Sequence, residues 1–383
     1  MVKFNSTILN QVLQYIKRSA FENKVSKYNA DKGTSVLHSF AILVIMIYAQ
    51  YSKKDKLREI QDAFSVNANC MYHLNLKSVR RSSLSDALKT LNHKVFEDYF
   101  YYLLEELKLR NKKKYRKQIK ILDSTTIGLC KSLFDWADFR KSKAGIKIHI
   151  LFDDKLNVPI DAIITNAKVH DVNIAKQITI EKGQVYVFDR GYNDYEYWDK
   201  INENKAFFVT RLKKNALYSI KRHGKTGNKV GVLADKIIKL KKTGSDSYEK
   251  ELRMIEYYDK TTDKYFKFVT NNFKMKADEI SDIYKRRWQI ELFFKWLKGH
   301  FKVKKFLSTT ENGVRIQIWC ALISYILLLL IKKDCIKNIS IYEILRIIES
   351  CLFNRINLFD AIDTGQLKPK NLKKSLQLEL FLC

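Results

Sequence analysis

Two short apolar runs, each ending on an aspartate, constrain this chain more than any other feature. Residues 118–122 alternate and lead into Asp123-Ser124-Thr125-Thr126, and Val185-Tyr186-Val187-Phe188 leads into Asp189-Arg190-Gly191-Tyr192. Between and after them, 146–152 and 158–165 read as strands, 172–179 and 195–204 as helices, and 206–210 as a further strand. Strands interleaved with helices predict an α/β arrangement. In open sheets of that kind, ligands bind beyond the carboxyl ends of the strands. Asp123 and Asp189 are therefore candidate catalytic residues that can share divalent cations. A strand-terminal aspartate would equally start a turn or cap a helix.

The flanking segments have a different rhythm. Residues 1–115 predict an all-helical region, with helices at 35–51, 54–64, 83–91 and 96–109. Residues 116–211 hold the first part of the α/β core. Residues 212–272 carry Gly224, Gly227, Gly231 and Gly244 between alternating stretches, which predicts a β-rich insertion. Residues 273–355 return to helix, with a long helix at 277–299 and two more at 315–332 and 340–351. Residues 356–383 form a tail with no reading.

The chain carries 71 Lys and Arg against 41 Asp and Glu, a formal charge of +30. That balance points to a polyanionic partner, nucleic acid first and an acidic membrane surface second. A lysine-rich composition inherited from an AT-rich genome is the plainer alternative. The six cysteines form no C-x-x-C pair and are too scattered for a disulfide or zinc framework, as in a reducing cytoplasm. The longest apolar run, 318–331, is short of the roughly 20 residues that cross a bilayer, so it predicts a buried helix.

The segment 282–298 adds a third acid. At about 100° per residue, Tyr284, Arg287, Glu291 and Lys298 fall in a stripe roughly 60° wide, beside an apolar face of Ile283, Ile290, Phe293, Phe294 and Leu297. A carboxylate for metal, flanked by two cations and a hydroxyl for phosphate oxygens, suits a nuclease site. An amphipathic helix with an i,i+4 Arg–Glu pair would look the same locally.

The spacing Tyr-x2-Arg-x3-Glu-x6-Lys, met by Tyr284, Arg287, Glu291 and Lys298, resembles the signature of the insertion-sequence 4 family of DDE-type bacterial transposases. Asp123 in ILDSTT and Asp189 in VFDRGY match the family's other acidic motifs, in the same order around a β insertion. The stretches KDKLREIQ, YHLNLKSVRRSSLSDAL and VFEDYFYYLLEELK resemble the helical domain that precedes the catalytic part in one branch of the family. The resemblance implies an RNase H-like α/β core in which Asp123, Asp189 and Glu291 bind two Mg2+ ions, with Mn2+ able to substitute. It implies cut-and-paste transposition in the bacterial cytoplasm on double-stranded DNA, both transposon ends and target. A synaptic homodimer and no membrane association are also implied. Rival readings are a nuclease of the same fold without strand transfer and a domesticated, non-catalytic DNA-binding protein.

In this reading Tyr284, Arg287 and Lys298 hold phosphates, and Trp288 is a platform for an extruded base. Arg80, Arg81 and Ser83 open a candidate DNA-reading helix that would form a helix-turn-helix with 54–64. The basic hinge 110–120, with Lys113, Lys114 and Lys120, and the insertion lysines Lys236, Lys239, Lys241 and Lys242 would bind phosphate without reading bases. His149 is expected as a strand residue rather than a ligand. His170-Asp171 is expected to cap the next helix, with a place near the site as the alternative.

Overall fold

The structure is a computed structural model that describes residues 6–34, 37–74, 76, 78–111, 118–140, 143–224, 231–241 and 248–365. Lys113, Lys114 and Lys242, and the tail beyond 365, lie outside the described residues. The chain divides into two compact units, Lys113–Trp296 and Met1–Lys112 with Leu297–Cys383.

The Lys113–Trp296 unit is built on one mixed sheet. Its strands are β1 (Ile119–Leu129), β2 (Asp138–Arg140), β3 (Lys143–Asp153), β4 (Val158–Asn166), β5 (Val185–Phe188), β6 (Phe207–Arg211), β7 (Tyr218–His223), β8 (Val232–Leu240), β9 (Leu252–Asp259) and β10 (Lys264–Thr270). The order across the sheet is β2-β3-β1-β5-β6-β10-β9-β8-β7, with β4 also on β3. β1, β3 and β4 pair antiparallel, whereas β5 runs parallel to β1 and β6 parallel to β5. A parallel neighbour needs a crossover, and between β5 and β6 the Tyr195–Glu203 helix supplies it. The Asp194 side chain caps that helix by accepting from the Tyr197 amide. The insertion strands extend this same sheet, because β10 pairs antiparallel with β6.

Apolar residues cover both faces. Leu122, Leu151, Phe188 and Phe208 meet Tyr192, Tyr197 and Trp198 on one side. On the other, Phe152 packs against Phe293 with ring centroids 5.2 Å apart.

Three local expectations need correction. β1 does not stop at Leu122: its antiparallel ladder with β3 continues to Leu129, so Asp123 lies within the strand. Only the parallel pairing with β5 ends there, at Leu122 opposite Phe188. The helix expected at 172–179 is the five-residue Asp171–Ala175. The long helix expected at 277–299 is two, Ala277–Arg286 and Trp288–His300. At the break, Arg287 N bonds Tyr284 O and Ile290 N bonds Arg287 O, a turn tightened to i→i+3 bonding.

The other unit is helical. Its centre is the Glu311–Asp334 helix, which packs on Ser39–Tyr51 and Lys94–Arg110. That helix is long and apolar enough to cross a membrane, and 94% of its apolar window is buried. Tyr51 donates to Ser324 O at 2.8 Å and Gln50 to Gln317 O at 3.4 Å, so these two buried side chains are satisfied. The helices Leu57–Val66 and Arg81–Thr90 touch, with the Arg81 amide donating to Gln61 Oε1 at 2.8 Å. The connection between them carries a further helix, Ala68–Met71, and a 3-10 turn, Tyr72–Leu74. That is too long for the tight turn of a helix-turn-helix.

Candidate active site

The register between β1 and β5 makes the site. Because Leu122 pairs with Phe188 as the last parallel step, Asp123 and Asp189 follow on neighbouring strands. Asp123 Oδ1 accepts the Ser124 amide at 2.8 Å, and Asp189 Oδ1 accepts the Arg190 amide at 2.7 Å. Asp189 thereby caps the Arg190–Tyr192 turn, the ordinary duty of a strand-terminal aspartate, and still faces the site.

The segment around the helix break supplies the rest. Arg287 Nη1 donates to Asp123 Oδ2 at 2.9 Å, and its Nη2 donates to Glu291 Oε1. One guanidinium thus joins two of the three acids. The third is held by Arg211, which ends β6 beside β5 and donates to Asp189 Oδ1 at 2.7 Å. Tyr284 is only 7% exposed and packs at a tilt against Phe268, ring centroids 4.7 Å apart. Its hydroxyl makes a long 3.5 Å contact with Asp189 Oδ1, and the Arg211 and Arg287 guanidinia lie 5.7 and 5.9 Å from its ring centre.

The electrostatics follow this wiring. Burial, reinforced by the charges of Glu291 and Asp189, pushes Asp123 up to about 6 against the Ser124 amide and Arg287. Burial also raises Asp189, but the Arg211 hydrogen bond, the Arg190 amide and the charges of Arg211 and Arg287 outweigh it and hold this carboxyl below its ordinary value. Burial pushes the Tyr284 phenol up to about 12, partly offset by Arg211 and Arg287.

The three acids are close enough to feel one another, yet they do not form a ready cage. Among the described residues, no three His, Cys, Asp or Glu side chains stand close enough to hold an ion together. The Arg287 guanidinium takes up the facing oxygens of Asp123 and Glu291 instead. The donor set itself suits Mg2+, which takes a few carboxylate oxygens and fills its shell with water and phosphate oxygens. The upward shift of Asp123 comes first from burial, with the charges of Glu291 and Asp189 adding to it.

The other expected residues separate. Trp288 is 57% exposed, so it is not a core residue. Lys298 lies two turns beyond Glu291 on the Trp288–His300 helix; burial and then the charge of Lys304 lower its pKa. Arg80 and Arg81 are exposed at the start of their helix and Ser83 is half-buried. Lys120 is not a phosphate ligand: it is 4% exposed, 3.0 Å from the fully buried Asp153. Lys236 is engaged by Glu256 at 3.0 Å within the sheet. His149 is buried, as expected of a strand residue. His170 makes no side-chain cap, and Asp171 is bonded by Ser124 instead. Arg211 was missed altogether. Its only sequence signal is its place after a short apolar run, the same place that marks Asp189.

The chain is also similar to known proteins. Residues 114–327 match the family described as transposase DDE domain, and residues 4–77 match a domain of unknown function (DUF4372). A protein of Sinorhizobium fredii named as a transposase is 34% identical over 276 residues, 71% of this chain and 77% of the relative. One from Geobacillus stearothermophilus, named as the transposase of an insertion sequence element, is 31% identical over 223 residues, 57% of this chain and 58% of the relative. An insertion-sequence transposase of Synechocystis sp. is 28% identical over 305 residues, 74% of this chain and 82% of the relative.

Proposed function

The chain belongs to the DDE transposase family of insertion sequences, and from that premise we propose that Asp123, Asp189 and Glu291 are its catalytic carboxylates. The observation that carries this is the Leu122–Phe188 register, with Arg287 tying Asp123 to Glu291. We read the β4-β3-β1-β5-β6 order, antiparallel and then parallel, as an RNase H-like core.

The three acids would hold two divalent cations, Mg2+ or Mn2+, which when bound activate an attacking oxygen and stabilise a leaving one. Loading requires Arg287 to release at least one carboxylate oxygen. The freed guanidinium then has a natural new partner in a phosphate of the scissile strand, which it can grip with two parallel hydrogen bonds. Arg211 keeps Asp189 ionised and aimed, the Tyr284 hydroxyl touches the same oxygen, and Lys298 meets the backbone two turns along the same helix. Water breaks the P–O3′ bond at the element's end, leaving a 5′-phosphate and a free 3′-OH, and that hydroxyl attacks a second phosphodiester, whose own O3′ departs. Trp288, already exposed, offers a face to an unstacked base. Arg80, Arg81 and Ser83, with Lys113 and Lys114, contact the DNA ends. Two copies pair the ends, and the protein works on DNA in the cytoplasm.

The test is incubation of the full chain with Mg2+ and duplex DNA carrying the flanking inverted repeats, with every new strand end mapped. Asp123→Asn, Asp189→Asn and Glu291→Gln should each lower cleavage by ~10³-fold or more, several kcal/mol of transition-state stabilisation, while gel-shift binding of the ends persists. Full cleavage by any one of the three removes that residue from the site.

A further inference from the structure

We propose that Ser124 and Asp171 are positioning residues that aim the Asp123 carboxylate from the reverse face of the sheet. The inference rests on the reading of Asp123 as a metal-holding acid. Ser124 pairs with His149 and Thr126 with Lys147 across the β1–β3 ladder, so these side chains share one face. Asp123 pairs with Ile150 and projects from the opposite face. On the Ser124 face, one hydroxyl donor and two nitrogens approach a single oxygen of Asp171. Ser124 Oγ donates to Asp171 Oδ1 at 2.8 Å, Lys147 Nζ lies 3.2 Å from it and His149 Nδ1 3.4 Å.

The cluster is anchored on every side. Lys147 Nζ also donates to Val169 O at 2.9 Å, and His149 Nε2 sits 2.9 Å from Thr165 Oγ1. Burial keeps the His149 ring neutral by lowering its pKa, against the charge of Asp171. Asp171 is not spent on its own helix, whose N-terminus has no side-chain cap bond.

The consequence reaches Asp123 through one peptide group. The Ser124 amide donates to Asp123 Oδ1 at 2.8 Å. With the Ser124 side chain pinned to Asp171, that amide has a fixed direction, and so does the carboxylate oxygen it holds. Oriented outer hydrogen bonds of this kind are commonly worth 10–100-fold in metal affinity or activity. A purely structural ion pair between Lys147 and Asp171 would need no contribution from Ser124.

The experiment measures Mn2+ binding to the full chain without DNA, by the paramagnetic resonance of free Mn2+, alongside the melting temperature and the Mn2+ dependence of cleavage. Asp123→Asn should abolish binding. Ser124→Ala should weaken it by ~10–100-fold with little change in melting temperature, and excess Mn2+ should recover cleavage. Ser124→Thr, which keeps the hydroxyl, should bind like wild type. Asp171→Asn should weaken binding as Ser124→Ala does; if its melting temperature collapses, the serine pair decides. If Asp123→Asn loses the ion while Ser124→Ala binds as tightly as wild type, the positioning role is wrong. If Asp123→Asn binds Mn2+ normally, the reading of the site itself fails, and this inference with it.

Discussion

At the scale of single residues, Arg287 explains how three acids can be packed together in a folded chain. Like charges brought together in a partly buried place destabilise one another, and one guanidinium hydrogen-bonded to both Asp123 and Glu291 offsets much of that cost. Arg287 therefore acts as an internal counter-ion. Replacing it with Ala removes the shared cation and should cost roughly 1–3 kcal/mol in chelated buffer. Melting curves with and without Mg2+ should then show a larger stabilising increment in Arg287→Ala than in wild type, because the ion has no guanidinium to displace. Equal increments would refute the counter-ion role. Arg287 and Glu291 could be paired from sequence, since they stand four apart in a helical segment. The bridge onward to Asp123 could not, because 164 positions separate the partners.

At the scale of elements, β1 and β3 carry a charge pair where an apolar ladder would be expected. Lys120 and Asp153 are cross-strand partners, both buried, 3.0 Å apart. Asp153 has a second duty: its Oδ1 accepts the amides of Lys155 and Leu156, which shapes the turn into β4. Lys120→Met leaves that carboxylate buried without its cation and should destabilise the protein by roughly 3–5 kcal/mol, read from denaturant melts. Adding Asp153→Asn should return part of the loss, since the neutral amide oxygen can still accept the turn amides. If Lys120→Met alone were as stable as wild type, the pair would be idle. The sequence placed Lys120 in a basic hinge because a lysine in a basic run looks like surface. Only the strand's register sends it inward.

At the scale of the whole molecule, the helix Glu311–Asp334 decides what can be separated from what. Its apolar surface is buried with Ser39–Tyr51 and Lys94–Arg110, in a unit that joins the two ends of the chain. Deleting residues 1–110 would strip that cover and expose a long apolar patch, a recognised liability for association. The expected outcome is an aggregating fragment in size-exclusion chromatography. A monodisperse, folded fragment would show that the helix has another cover. The +30 charge argued for nucleic acid from the start, and the membership of the DDE transposase family gives that charge its partner.

The sequence alone determined much of this protein: the alternation of strand and helix, the strand-terminal position of Asp189, the helical spacing of Arg287 and Glu291, and the family those motifs mark. Each is a local property, legible because side-chain period and turn chemistry act over a few residues. Tertiary structure alone decided that β1 runs on past Asp123, that Arg211 reaches Asp189, that Lys120 turns inward, and that Ser124 meets Asp171. These depend on which strand lies beside which and in what register, and no stretch of chain carries that information by itself.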